Sequence, residues 1–257
     1  MGARDAQRAA DSRSHARRLY APPMTKRPVC VVIGVGPGIG ASLARRFARE
    51  GYAVALLARS LEHTRALEGE LPESRAFACD ASDGASIASA FARIRSELGE
   101  PEVLLYNAGS GVFGTFEDVS AEQLEQAWKV NTLGLFHASR EVIGAMKARG
   151  RGTVLVTGAT ASLRGGARFA AFAQAKAAQR SLAQSMARTL WPSGVHVAVV
   201  IVDGMVDLPR TRAMRGDLPQ EAFLAPDDVA EAMWTLHRQP RSAWTFELDV
   251  RPHVETW

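Results

Sequence analysis

The stretch RFAAFAQAKAA, Arg168 to Ala178, carries Lys176 four residues after Phe172. In a helix that spacing puts both side chains on one face. An ammonium facing a cleft needs partners, because burying it alone is costly. Phe172 beside it has no proton to give. Further along, VDGMVD holds Asp203 and Asp207 four residues apart. Asp203 can act as a general acid where desolvation favours the protonated carboxyl, with Asp207 the weaker candidate. It can equally cap a short helix.

An earlier turn reads VVIGVGPGIG, with Gly34, Gly36, Gly38 and Gly40 between a β-branched run and an amphipathic segment. Glycines placed so allow a tight turn, bring backbone N–H groups up to a pyrophosphate, and let helix and strand pack closely. The placement points to dinucleotide binding. The next apolar run ends LLARS, where an acidic residue would accept from a ribose 2′-OH; here Ala58 is followed by Arg59. A guanidinium can hold a 2′-phosphate through paired, charge-assisted hydrogen bonds, so NADP(H) is expected in preference to NAD(H). The competing reading of Arg59 is a solvated surface arginine.

Elements that position these groups follow from the alternation of short β-branched runs with longer amphipathic segments. VCVVIGV, SLARRFAREG, AVALLA, SLEHTRALEGEL and RAFAC are followed by VLLYNAG, TVLVTG, VHVAVVIV and finally TFELDV. Such alternation predicts a parallel sheet with helices on both faces. The expected fold class is α/β, a single Rossmann-type doubly wound domain over residues 28–257 with a seven-stranded parallel sheet. Long helices are predicted over Ala121–Ala148 and Phe169–Leu190, and a last one near Pro226–His237. Leu208–Leu224 is expected to form a mobile lid over the pocket. Arg164 and Arg168, in the loop before Phe172, read either as an anion contact or as solvated side chains.

Composition narrows the function classes. The chain has 257 residues, 47% hydrophobic and 23% charged, and fits one globular domain. Cys30 and Cys79 are its only cysteines, each inside an apolar run, which reads as reduced, buried thiols in a cytoplasmic protein. No metal-ligand spacing is present, and no run approaches the ~20 apolar residues of a membrane span. The net charge of +4 does not mark a nucleic-acid binder. Residues 1–27 hold seven of the 31 basic side chains and two of the 27 acidic ones, leaving 24 basic against 25 acidic in the remainder. That leading segment is read as a flexible basic extension, with Met24 as an alternative start; Asp5 and Asp11 count against an Arg-rich targeting peptide.

Taken together, the motifs resemble the short-chain dehydrogenase/reductase family over about residues 28–250. The family's glycine motif matches Gly34, Gly38 and Gly40, with Ile33 where threonine is common. Its adenine-contacting aspartate matches Asp80 in CDAS, and its NNAG motif is Tyr106-Asn107-Ala108-Gly109. The resemblance implies cofactor contacts from these residues and from Gly36, Ile39, Ala81, Lys176, Gly204 and Val206. The last two lie in the loop that the family places beside the nicotinamide carboxamide, and Asp203 stands there in place of a proline. It also implies small-molecule substrates and a homodimer or homotetramer formed through the two long helices, whose Ala-rich faces allow close approach.

At the chemical end, the family's asparagine matches Asn131 in VNTLG, implying a bent helix and a water held in a proton relay. Its lysine matches Lys176. The tyrosine position is Phe172 and the serine position is Ala159, so the two groups that would touch a substrate carbonyl are missing. Tyr20, Tyr52 and Tyr106, the only tyrosines, stand elsewhere. Thr160 or Ser162 can supply a hydroxyl near the serine's place, or serve as ordinary caps. Of the lysine's two roles in the family, holding the nicotinamide ribose survives and lowering the tyrosine pKa does not. The expected function is hydride transfer between NADP(H) and a small carbonyl, imine or activated alkene through an atypical site. The alternative is a catalytically quiet NADP(H)-binding sensor or partner subunit.

Overall fold

The computed structural model describes residues 27–256, so the basic extension, Tyr20 and Met24 lie outside the described residues. Its strands are β1 (Val29–Ile33), β2 (Ala53–Ala58), β3 (Ser74–Ala78), β4 (Pro101–Tyr106), β5 (Gly152–Ala159), β6 (Val195–Val202), β7 (Met205–Val206), β8 (Phe223–Leu224) and β9 (Glu247–Val250). Seven of them form one parallel sheet in the order β3-β2-β1-β4-β5-β6-β9, and β7 pairs with β8 apart from it. The helices are α1 (Ile39–Arg49), α2 (Glu62–Glu70), α3 (Gly84–Glu97), α4 (Ala121–Trp128), α5 (Gly134–Arg149), α6 (Ala170–Leu190), α7 (Pro209–Met214) and α8 (Pro226–His237).

β1 and β6 are buried along their whole length, as strands covered on both faces must be. Alternate residues feed two cores. Val31 and Ile33 join Phe91, Leu135, Val142 and Leu190 beneath α3, α5 and α6. Cys30 and Val32 join Leu43, Phe47, Met233 and Trp234 beneath α1 and α8. Burial pushes both free thiols up in pKa, Cys79 to about 12, which leaves them unreactive. Strand order reverses between β1 and β4, and in open α/β sheets the crevice at such a switch point takes the ligand.

Two elements depart from the sequence reading. α3 lies outside the predicted helices, although Ile87, Phe91 and Ile94 stand at helical spacing on one buried face; Asp83 starts it, accepting from the Ala85 N–H at 2.9 Å. The long helix predicted over Ala121–Ala148 is two helices joined by a π-helical turn, Lys129–Leu133, centred on Asn131.

Candidate functional site

The glycine turn closes over the C-terminal end of β1. Gly34 takes φ +91°, and a methyl group there would lie 2.5 Å from the Ala108 nitrogen. Asn107 fastens the two segments, donating from Nδ2 to the Gly34 carbonyl at 2.9 Å while its Oδ1 accepts from Thr157 at 3.0 Å. Gly36 faces open space. α1 begins after Gly38 at Ile39 and Gly40, with no side-chain cap and no acidic residue in its first turn, which suits a phosphate.

Asp80 accepts from the Ser82 N–H at 2.9 Å and the Ser82 hydroxyl at 2.7 Å, next to Ala81. These bonds, with a smaller contribution from the Arg59 charge, hold its carboxyl below the usual range. Arg59 itself is exposed at the end of β2. On the far side of the crevice Gly204 takes φ +145°, and Val206 lies in β7.

A π turn frees carbonyls that an α-helix would use, and side chains take them up. Asn131 Nδ2 donates to Ala127 O at 2.8 Å, the Tyr106 hydroxyl donates to Val130 O, and Gln179 Nε2 donates to Asn131 O at 2.7 Å. The Thr132 hydroxyl donates across to Ala175 O at 2.9 Å, tying the turn to α6. Tyr106 is wholly buried, so it serves structure and not proton transfer.

Lys176 is 4% exposed, and its Nζ donates to Thr157 O at 2.7 Å and to Gln179 Oε1 at 3.0 Å. Burial lowers its pKa to about 7. A methyl group on Gly109 would lie 3.4 Å from Asn131 Oδ1 and 3.8 Å from Lys176 Nζ, so both side chains converge on the backbone after β4. Asn131 Oδ1 is buried and accepts no hydrogen bond among the described residues. An ammonium N–H and an idle amide oxygen that both approach the same point fit the hydroxyls of a nucleotide ribose.

The two hydroxyls offered near the serine's place are engaged elsewhere. Ala159 ends β5; Ser162 turns its hydroxyl back to accept from the Ala159 N–H at 3.2 Å, and Thr160 gives its hydroxyl to Asp203. Asp203 was open to two readings, and the structure favours neither. The short helix α7 starts after Leu208, so Asp203 does not cap it. Its carboxylate accepts from Thr160 and pairs with Arg251 at 3.1 Å, so both oxygens are engaged as acceptors. Asp207 is taken up by Arg212 and Gln220, with the Arg212 hydrogen bonds foremost in holding its carboxyl at about 2.

Phe172 is half-buried, with the Lys176 nitrogen 6.0 Å from its ring centroid. Phe113 lies 5.4 Å from Phe169 and 5.5 Å from Phe172, centroid to centroid. Their loops are joined where the Gly114 N–H donates to Arg168 O at 2.9 Å. Arg164 and Arg168 are exposed. The segment over 208–224 carries α7 and lays Leu208 on the glycine turn, 2.7 Å from where a Gly38 Cβ would stand. Part of the Ala-rich face of α6 is used within the chain, since Ala171 and Ala175 pack on Ala127; Leu124, Trp128 and Phe136 stay exposed on α4 and α5.

Sequence reasoning missed Gln179, Arg251 and Leu208. Gln179 had a signal, a polar residue three after Lys176 on an alanine-rich helix. Among the described residues no cluster could hold a metal ion, and no helix is long and apolar enough to cross a membrane.

The chain is similar to known proteins over most of its length. A family profile described as short chain dehydrogenase matches residues 28–218. The 2-(S)-hydroxypropyl-CoM dehydrogenase 3 of Xanthobacter autotrophicus is 31% identical over 81% of this chain and 88% of its own. The 3-oxoacyl-[acyl-carrier-protein] reductase of Bos taurus is 27% identical over 82% and 92%. Among solved structures, a short-chain dehydrogenase from Rhodopseudomonas palustris is 35% identical, with a TM-score of 0.76 over 89% of this chain and 100% of its own. A metagenomic short-chain oxidoreductase in complex with NADP is 29% identical, with a TM-score of 0.76 over 89% and 98%. With a family profile matched over residues 28–218 and a relative 31% identical over 81% of its length, the chain belongs to the short-chain dehydrogenase family.

Proposed function

We propose that this protein is an NADP(H)-dependent oxidoreductase that moves hydride to or from a small carbonyl, imine or activated alkene, without the serine and tyrosine acid pair. The observation that carries the reading is the convergence of Lys176 Nζ and the idle Asn131 Oδ1 on Gly109. A nicotinamide bound there supplies or accepts the hydride. Lys176 and Asn131 hold its ribose, Gly36 and the start of α1 take the phosphates, Asp80 faces the adenine, and Arg59 holds the 2′-phosphate. Gly204 and Val206 border the carboxamide.

Ala159 and Phe172 leave a substrate carbonyl oxygen without donors, which favours substrates that need little acid help, such as a protonated imine or an electron-poor alkene. Phe113, Phe169 and Phe172 favour a flat apolar body on that substrate. The engaged hydroxyls of Thr160 and Ser162 also support the second reading, a quiet NADP(H)-binding sensor or partner subunit. The protein acts in the cytoplasm as a homodimer or homotetramer.

Purified protein with NADPH and a panel of ketones, imines and conjugated enones, followed by NADPH absorbance, separates the two. Oxidation with imines or enones supports the enzyme. Tight NADPH binding with no turnover across the panel supports the sensor.

A further inference from the structure

Gln179 is 1% exposed and lies one turn beyond Lys176 on α6. Its orientation is fixed by chemistry: the Asn131 carbonyl can only accept, so the amide nitrogen faces it at 2.7 Å, and the amide oxygen is left to accept from the ammonium at 3.0 Å. The other acceptor of Lys176 among the described residues is the Thr157 carbonyl of β5. Behind the lysine there are thus two groups, a backbone carbonyl and a side-chain amide, and neither can pass a proton along as water does. The amide spans the gap between Lys176 and the π turn by itself.

We propose that Gln179 is a positioning residue that closes the rear of the Lys176 pocket, so that protons reach or leave Nζ only from the cleft face. The ammonium then serves as a fixed contact aimed at Gly109, not as a link in a relay running back through Asn131. It departs from the water-held proton relay that the family resemblance implies for Asn131. The inference rests on Lys176 facing the cleft, as the proposed function requires, but it does not depend on turnover.

The chain suits a direct test because it has four lysines, Lys26, Lys129, Lys147 and Lys176. Lysine labelled with ¹⁵N and ¹³C gives one ammonium signal each, and Lys176→Met identifies the one of interest. Exchange of the Nζ protons with water is measured in the free protein and in Gln179→Ala and Gln179→Met. The methionine fills similar volume without hydrogen bonds, whereas the alanine leaves room for water. Lys176 should exchange at the same rate, within about twofold, in the parent and in Gln179→Met, and about tenfold or more faster in Gln179→Ala. Equal rates in the alanine variant and the parent would overturn the proposal, as would equal rates in the alanine and methionine variants. Gln179→Ser makes the same opening if Gln179→Ala does not fold. This order of rates in a protein that turns over no substrate would support the closed rear while removing the enzyme reading, so the two can fail separately.

Discussion

The Lys176 nitrogen stands 6.0 Å from the centroid of the Phe172 ring, next to a phenyl group that can neither give nor take a proton. The lysine is therefore judged by what it binds.

Its charge predicts a pH dependence. Burial lowers the ammonium to about 7, so the free protein loses this charge as pH rises through that value. A ligand that needs the ammonium must then bind with proton uptake, and its Kd should rise by at most about tenfold per pH unit above 7. Calorimetry with NADH, which lacks a titrating 2′-phosphate, in two buffers of different ionisation heat measures the uptake. None at pH 8 would refute the contact.

The same shift has a stability sign. An unfolded lysine stays protonated to about pH 10.4, so the desolvation cost is fully present below pH 7 and fades as pH rises toward 10. Lys176→Met should gain stability over the parent at pH 6, with the gain shrinking by pH 9. Urea unfolding at both values checks this.

Arg59→Ala should remove most of a preference for NADPH over NADH. A charge-assisted contact contributes roughly 1.5–3 kcal/mol, so NADPH affinity should drop about tenfold or more while NADH affinity holds. Equal dissociation constants for both cofactors in the parent protein would end the idea.

Simple ketones should be poor substrates, since a positioned general acid contributes ~10²–10⁴ in rate. Phe172→Tyr alone should recover little, and Phe172→Tyr with Ala159→Ser more. Steady-state kinetics with one ketone across the three proteins gives the order, and fast reduction by the parent would contradict it.

Asp203→Asn should weaken the fold more than the chemistry. It breaks the ion pair with Arg251, with side chains 16% and 13% exposed, at a cost of about 1–3 kcal/mol. A Tm lower by several degrees with NADPH affinity retained is expected; full Tm with lost turnover would return the carboxyl to the chemistry.

The fold was legible because β-branched runs and glycine punctuation repeat along the chain, down to the end helix at Pro226–His237. α3 was legible too, since Ile87, Phe91 and Ile94 recur at helical spacing between the alanines and serines. In the site, residues that act by type, such as Lys176 and the glycines, could be located from sequence. Asp203 could not be interpreted, because its partners Thr160 and Arg251 lie 43 residues before it and 48 after it, and only the sheet joins them. Gln179 and the π turn belong to the same class: their meaning is a set of carbonyls that no sequence window contains.

Leu208 rests where the Gly38 side chain of any other residue would be. A diphosphate bound at the start of α1, as proposed, would contend with this hydrocarbon from the 208–224 segment for one turn of backbone. By reciprocity, whatever draws that segment aside tightens dinucleotide binding by the factor with which the dinucleotide draws it aside.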